Sequence, residues 1–189
     1  THLQVLGGQG SHSYGGSGTL FLKAGTQENG TLIIDGQTAP GFTPLRLPDG
    51  FSPDEIYIRN NSRIMVDRPL DVQRITLEGN SQLLADEPMT VSDRLELISG
   101  CALTHSLGLE AGLRINAGTL AIDGTSSIDV SGKGYLGARQ PGNNNDYGLT
   151  DGGQPGAQLR AAASYGGNGG VYGSAVTNEV YGDPAQPAK

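Results

Sequence analysis

Residues 56–97, which read IYIRNNSRIMVDRPLDVQRITLEGNSQLLADEPMTVSDRLEL, begin a pattern that repeats about every nineteen residues as far as Val130. Each copy contains three short aliphatic segments, separated by Asn, Asp, Gly, Ser or Pro. The first segments of successive copies are Ile56–Ile58, Ile75–Leu77, Leu95–Leu97 and Leu113–Ile115. The second segments are Arg63–Val66, Gln82–Ala85, Ala102–His105 and Thr119–Ile122, and the third are Leu70–Val72, Met89–Val91, Leu107–Leu109 and Ile128–Val130. Three strand-like segments per copy predict three-sided coils stacked on one another.

The predicted fold is therefore an all-β, right-handed parallel β-helix with about nineteen residues per coil. Right-handedness follows from the crossover rule for parallel strands. The chain has 31 glycines, no tryptophan and three phenylalanines, so Leu, Ile and Val must form the core. Alternation within each segment predicts that Tyr57, Thr76, Glu96 and Arg114 form one outward row, with an ion pair between Glu96 and Arg114. The turns use Asn60–Asn61, Gly79–Asn80, Ser99–Gly100 and Ala117–Gly118, since Asn and Gly tolerate positive φ.

Composition divides the chain into four parts. Residues 1–36 are predicted to be the tail of a preceding repeat unit or the first coil, and the proline-rich residues 37–53 a crossing loop. Residues 54–131 contain the regular coils. Residues 132–189 are a lateral extension rich in Gly, Asn and Tyr, with almost no aliphatic periodicity.

Two phrases occur twice. Thr31–Gly36 matches Thr119–Gly124 with one substitution, and 13–18 matches 164–169. We infer a tandem array in which neighbouring repeat units of the same chain are partners. The alternative is chance similarity between Gly-rich segments.

Net charge and apolar run length argue against two classes of partner, nucleic acids and membranes. The formal net charge is −7, which argues against a nucleic-acid partner. No apolar run is long enough to span a bilayer, so no membrane insertion is predicted. The single cysteine, Cys101, is expected to be a small buried apolar residue.

The repeats, the Gly-Thr-Leu-x-Ile-Asp-Gly phrase at 118–124 and the Gly/Asn/Tyr-rich end together resemble a known family. The chain resembles the glycine-rich, right-handed parallel β-helix repeats of large, adhesin-like bacterial surface or secreted proteins. The resemblance implies an extracellular or cell-surface location and a spacer, adhesive or polysaccharide-contacting role. It carries over no catalytic residue.

Two acids raise an enzymatic alternative. Asp67 and Asp86 are equivalent in adjacent copies, so their carboxylates are expected about 4.8 Å apart. Repulsion between two carboxylates this close raises the pKa of one of them. A carboxyl with a raised pKa suits a general acid in a polysaccharide-degrading lyase or glycoside hydrolase. The competing interpretation is structural, because both acids end a strand at a turn, where Asp is favoured. The turn interpretation is the stronger one.

Metal binding has weaker support. Asp129, Asn145 and Asp146 carry oxygen ligands of the kind that calcium accepts, but their spacing fits no known calcium loop. A solvated Asn/Gly loop explains the same residues. We predict no cofactor, with calcium as the one candidate.

The extension carries the candidate glycan-binding residues Tyr135, Tyr147, Tyr165 and Tyr172, which alternate with Asn, Asp and Gly. Flat rings beside amides and carboxylates suit polysaccharide or host-cell glycan recognition on loops. The alternative is that each tyrosine packs the extension. The leading hypothesis is a non-enzymatic structural or adhesive repeat that contacts glycans, and the alternative is the polysaccharide-degrading enzyme.

Overall fold

The computed structural model describes residues 3–8, 15–36, 41–150, 154–163 and 169–180, and every secondary-structure element among them is a strand. The copy of the second repeated phrase at 164–169 lies almost entirely outside these residues. The strands are β1 Gly18–Leu22, β2 Thr31–Asp35, β3 Thr43–Pro44, β4 Glu55–Arg59, β5 Arg63–Val66, β6 Leu70–Leu77, β7 Gln82–Ala85, β8 Met89–Leu97, β9 Ala102–Thr104, β10 Ile115–Ile122, β11 Ser127–Ile128, β12 Tyr147–Leu149 and β13 Pro155–Gln158.

The first of two compact units, residues 1–105 and 113–129, is a β-solenoid of about four turns. One sheet has the order β1-β2-β4-β6-β8-β10, and the other has the order β11-β9-β7-β5-β3. All pairings in these two sheets are parallel except that of β1 with β2, which is antiparallel. The prediction of an all-β solenoid with parallel strands is confirmed.

Apolar side chains from successive turns stack inside the solenoid in columns. In the first column Leu32 pairs with Ile56, Ile56 with Ile75 and Ile75 with Leu95. A second column contains Ile34, Ile58, Leu77 and Leu97, and a third contains Ile64, Leu83 and Leu103. Leu32 is partly buried, and all the other side chains named in these columns are almost completely buried. The columns therefore form the core of the unit.

The assignment of the fourth turn from the sequence was wrong. Leu95 pairs with Leu120, not with Leu113, and Ala102 pairs with Ser127, not with Thr119. Ile115–Ala117 instead continues the third track, opposite Met89–Val91. The cause is residues 106–112, which interrupt the solenoid between β9 and β10 and belong to the second unit. Aliphatic spacing alone could not distinguish this insertion from another turn.

The outward row changes for the same reason. Glu96 pairs across the sheet with Ala121, and its ion pair is with Arg94 at 2.7 Å. The hydrogen bond from Arg94 holds the pKa of Glu96 below its usual range. Arg114 lies 3.9 Å from Glu87 instead. The predicted ion pair between Glu96 and Arg114 is therefore wrong.

The third segment of one copy and the first segment of the next lie in one continuous strand. In β6 a register shift between Val72 and Arg74 separates the two halves. In β10 a similar shift lies between Ala117 and Thr119. Irregularities of this kind bend a strand and change its local twist.

Most of the predicted turn residues adopt the left-handed backbone that was expected. Asn60, Asn61 and Asn80 have φ of 57°, and Gly79 and Gly100 have φ of 64° and 79°. The prediction for Ala117–Gly118 is wrong, because both residues lie inside β10.

One buried column beside these turns was not predicted. Ser62 and Ser81 are buried, and their hydroxyls donate to the carbonyls of Arg59 and Glu78 at 2.6 and 2.7 Å. On the next turn Cys101 takes the same place, with its sulfur 3.1 Å from the carbonyl oxygen of Ile98. Burial raises the pKa of the Cys101 thiol. The prediction that Cys101 is a small buried residue is confirmed.

The second unit contains residues 106–112 and 130–189. Its β12 and β13 form an antiparallel pair with a register irregularity. Backbone hydrogen bonds join this pair to residues 136–139 on one side and to residues 170–176 on the other. The N–H of Leu149 donates to Leu136 O at 2.8 Å, and the N–H of Gln158 donates to Val176 O at 3.0 Å.

Candidate functional site

Asp67 and Asp86, the candidate acids, follow paired residues on neighbouring turns. Val66 pairs with Ala85, and the N–H of Asp86 donates to Val66 O at 3.0 Å. The solenoid thus brings the backbone positions of the two acids onto adjacent turns.

The Asp67 side chain is engaged in an ion pair that the sequence did not predict. Both guanidinium nitrogens of Arg46 contact its carboxylate, one of them at 2.7 Å. The hydrogen bond from Arg46, with smaller contributions from neighbouring charges, holds the pKa of Asp67 below its usual range. An ionised carboxylate held by a bidentate arginine suits a structural ion pair better than a general acid. Arg46 comes from the proline-rich segment, whose path the sequence pattern does not indicate.

Of the three calcium candidates, Asp146 has its carboxylate in an ion pair. Asp146 accepts a hydrogen bond from Arg139 at 2.7 Å, which holds the pKa of Asp146 below its usual range. Asn145 donates its backbone N–H to the side chain of Asn143 at 3.0 Å. Asp129 belongs to the solenoid unit, where its N–H donates to Leu103 O at 3.0 Å. The described residues contain no cluster of three His, Cys, Asp or Glu side chains arranged to hold a metal ion.

Asn143 organises the second unit. It is buried, and its side-chain amide donates to the carbonyl oxygens of Gly137 at 3.1 Å and Tyr147 at 2.8 Å. Its side-chain oxygen accepts the N–H of Asn145. The sequence predicts a solvated Asn/Gly loop around Asn145, but its neighbour Asn143 is buried, so the prediction does not hold for the whole run. The composition of a polar run does not indicate which of its amides is buried.

A groove of about 470 Å³ lies within the second unit. Its floor consists mainly of Gly, Ala and Leu, including Leu149 and Ala157. The polar and aromatic groups at the groove are those of Tyr135, Thr150, Gln158 and Arg160. A mostly apolar concavity with a few polar side chains is the usual form of a small-ligand site.

Arg160, one of the residues that line this groove, has an unusual backbone conformation. Its φ is 73°, which is uncommon for a residue other than glycine. The carbonyl of Arg160 accepts the N–H of Tyr172 at 3.0 Å, and the carbonyl of Asp146 accepts the N–H of Leu159 at 2.7 Å. Residues forced into this region are often found at functional sites.

The predicted tyrosines occupy different positions. Tyr135 lines the groove, and Tyr147 is half-buried in β12. Tyr172 is 75% exposed and lies beside Arg160 through their backbone hydrogen bond. Tyr165 lies outside the described residues. Gln158 and Arg160 were not among the predicted site residues, because nothing in their local sequence distinguishes them from other polar residues of the extension.

Comparisons with protein-family models, with curated proteins and with solved structures find no match. Among the described residues there is no helix with the length and apolar character that crossing a membrane requires. The groove and the solenoid are the two features of the molecule that bear on its function.

Proposed function

We propose that this chain is a non-enzymatic, adhesive repeat segment of a large bacterial extracellular or cell-surface protein, and that its second unit contacts glycans. In this proposal the solenoid is a right-handed, three-sided parallel β-helix with coils of about nineteen residues. It is a rigid support, and its partners are neighbouring repeat units and a polysaccharide or cell-surface glycan.

The groove with Tyr135, Gln158 and Arg160 is the observation that supports glycan contact. A sugar ring has apolar C–H faces and hydroxyl groups around its edge. An aromatic ring can cover the face, while the NH2 of an amide and a guanidinium donate to the hydroxyls. The side-chain oxygen of Gln158 already accepts the N–H of Val176 at 3.2 Å, so its NH2 is the group offered to a sugar. Since a guanidinium also pairs with carboxylates, Arg160 favours acidic sugars over neutral ones.

The solenoid offers less for recognition. Several of its outward charges form ion pairs, as Arg74 does with Asp93 at 2.5 Å and Arg94 with Glu96 at 2.7 Å. The enzymatic alternative needs an available acid, and Asp67 is bound by Arg46. No observation favours that alternative. Because the proposed role is non-enzymatic, release of reducing sugar from acidic polysaccharides by the wild-type chain would argue against it.

A glycan array probed with the full chain tests the proposal. We expect binding to acidic glycans, a loss of at least about tenfold in Tyr135→Ala or Arg160→Ala, and partial retention in Tyr135→Phe, which keeps the ring. Tyr57→Ala in β4 is the matched control and should bind like the wild type. Thermal unfolding verifies that each variant is folded.

Two results would contradict the proposal. One is the absence of binding to any glycan by the wild-type chain. The other is an equal loss of binding in Tyr57→Ala and Tyr135→Ala, since binding would then not depend on the groove.

A further inference from the structure

The two edge strands of the six-stranded sheet differ from its inner strands in charge. Each inner strand carries at least one charged residue: Asp35 in β2, Glu55 in β4, Asp71 in β6 and Asp93 in β8 are examples. The edge strands β1 (GTLFL) and β10 (INAGTLAI) carry none. Edge strands are normally protected from pairing with other molecules by charged residues or proline. Here both edges lack that protection.

The edge strands also expose the two ends of the same core column. Phe21 of β1 pairs with Leu32, and Leu120 of β10 pairs with Leu95. Phe21 and Leu120 are 44% and 50% exposed, whereas Leu95 is completely buried. Ile122 continues the second column opposite Leu97 and is 41% exposed. The solenoid therefore presents unburied core side chains at both ends.

A cavity of about 350 Å³ lies at the β1 end. Its lining includes Thr19, Phe21, Leu32, Ile34 and Ile64, which are early members of the inward columns. Apolar side chains at the β10 end are the last members of these columns. One end thus has a recess where the other end has exposed Leu and Ile side chains.

The repeated phrase adds an independent observation. In Thr31–Gly36 the residues Leu32 and Ile34 enter the two columns, and in Thr119–Gly124 the residues Leu120 and Ile122 do so. β2 pairs along its length with β4, which buries Ile34. β10 has the same phrase at its second half, and in the described part of the chain it is the last strand of the sheet. The open edge of β10 is therefore equivalent to the edge of β2 that β4 covers.

We propose that the β10 edge of one molecule pairs with the β1 edge of a second copy of this chain, so that copies stack head to tail. β1 runs antiparallel to β2, and β2 is connected to β10 by parallel pairings only, so the new β10–β1 pair is antiparallel when both copies point the same way. Leu120 and Ile122 lie over the recess at Phe21 and Ile34. Such a contact is heterologous and does not close, so it forms open chains of molecules.

Charge affects this association in a defined direction. Each copy has a net charge of −7, so stacking brings two anionic molecules together. Because salt screens this repulsion, association should strengthen as the salt concentration rises. The apolar, uncharged edges are the source of the attraction.

Stacking rests on the proposed role as a repeat segment and specifies how neighbouring copies contact one another. It does not involve the groove. A monomeric chain that binds glycans would overturn stacking alone. A stacking chain without glycan affinity would overturn only the glycan part of the proposed function.

Sedimentation analysis of the full chain from micromolar to millimolar concentration tests the inference. We expect the average mass of the wild type to rise with concentration beyond that of a dimer. Leu120→Lys and Phe21→Lys each place a charge at one end and should weaken self-association by at least about tenfold. Phe21 also packs edge-to-face against Phe51, with ring centroids 5.5 Å apart, so Thr19→Lys is a second variant at the β1 end that keeps this contact. Thr76→Lys, on an inner strand, is the control and should associate like the wild type.

Mixing the two end variants distinguishes head-to-tail stacking from other contacts. At a concentration where the wild type associates and each variant alone is monomeric, an equimolar mixture should form 1:1 dimers and nothing larger, because one intact β10 edge meets one intact β1 edge. Thermal unfolding verifies that each variant is folded. A wild type that stays monomeric at every concentration overturns the inference. So does dimerisation of Phe21→Lys or Thr19→Lys alone, which would indicate a symmetric contact through β10.

Discussion

The two units of this chain achieve order by different means. The solenoid buries stacked aliphatic columns, and nearly all of the described buried apolar residues belong to it. In the second unit, Ala157 is the one buried apolar residue among those described, and the buried amide of Asn143 connects several backbone segments. Apolar burial therefore stabilises one unit, whereas directional hydrogen bonds determine the path of the other.

The largest expected effect comes from truncating the core of the solenoid. Leu95→Ala should lower the free energy of unfolding by about 2–5 kcal/mol, because a completely buried leucine leaves a cavity. Leu120→Ala is the matched control, since the same side chain occupies the next position of the same column but is half exposed. Its loss should be less than about 1.5 kcal/mol. Urea unfolding of both variants measures the difference, and equal losses would contradict the assignment of Leu120 to an open end.

An intermediate effect is expected in the second unit. Asn143→Ala removes buried hydrogen bonds to the carbonyls of Gly137 and Tyr147 and should lower local stability by about 1–3 kcal/mol. Hydrogen exchange at the amides of Asn145 and Leu149 should accelerate, while exchange in β6 and β8 stays unchanged. Asn144→Ala, an exposed neighbour, is the control. If exchange in β6 accelerates equally, the stabilities of the two units are coupled and they are not stabilised separately.

The smallest effect concerns the last turn of the solenoid. The Asp123 carboxylate accepts the backbone N–H of Ser99 at 2.7 Å and those of Ser126 and Thr125 at 2.8 and 3.0 Å. These hydrogen bonds hold the pKa of Asp123 far below its usual range. Because the folded pKa is lowered, this stabilisation is complete above the unfolded pKa of about 4 and is lost as pH falls toward the folded value.

Asp123→Asn should therefore unfold at a temperature that changes less between pH 7 and pH 3 than that of the wild type. Thermal unfolding at the two pH values measures this difference. Asn144→Ala, which changes no titratable group, should keep the wild-type pH dependence. An unchanged pH dependence in Asp123→Asn would mean that its hydrogen bonds do not favour the ionised form.

The regular part of the solenoid is the part of the fold that the sequence predicted. Period-two alternation identified β4 to β9 and their stacking, because the inward residues Ile56, Ile75 and Leu95 recur at nearly constant spacing. The prediction failed after Thr104, where residues 106–112 leave the solenoid. The aliphatic segments of the three tracks have similar sequences, so spacing alone does not show which track a segment continues. Leu113–Ile115 was therefore assigned to the wrong track.

The candidate site was less accessible to prediction. Tyr135 was named from composition, but Gln158 and Arg160 reach the groove only through the antiparallel pairing of β12 with β13 and the left-handed backbone at Arg160. The ion pair between Asp67 and Arg46 joins residues on different turns. Such contacts depend on the path of irregular segments, which have no periodic pattern.

The sequence by itself determined the solenoid, because each inward Leu, Ile or Val can be buried only against its equivalent on the next turn. It also determined the left-handed turns, since Asn and Gly adopt positive φ at low energetic cost. Only the tertiary structure decided which segment forms the fourth turn, that Asn143 is buried, and that both edge strands expose core side chains without charge. These features depend on which segments meet in space, and backbone pairing over long separations decides that.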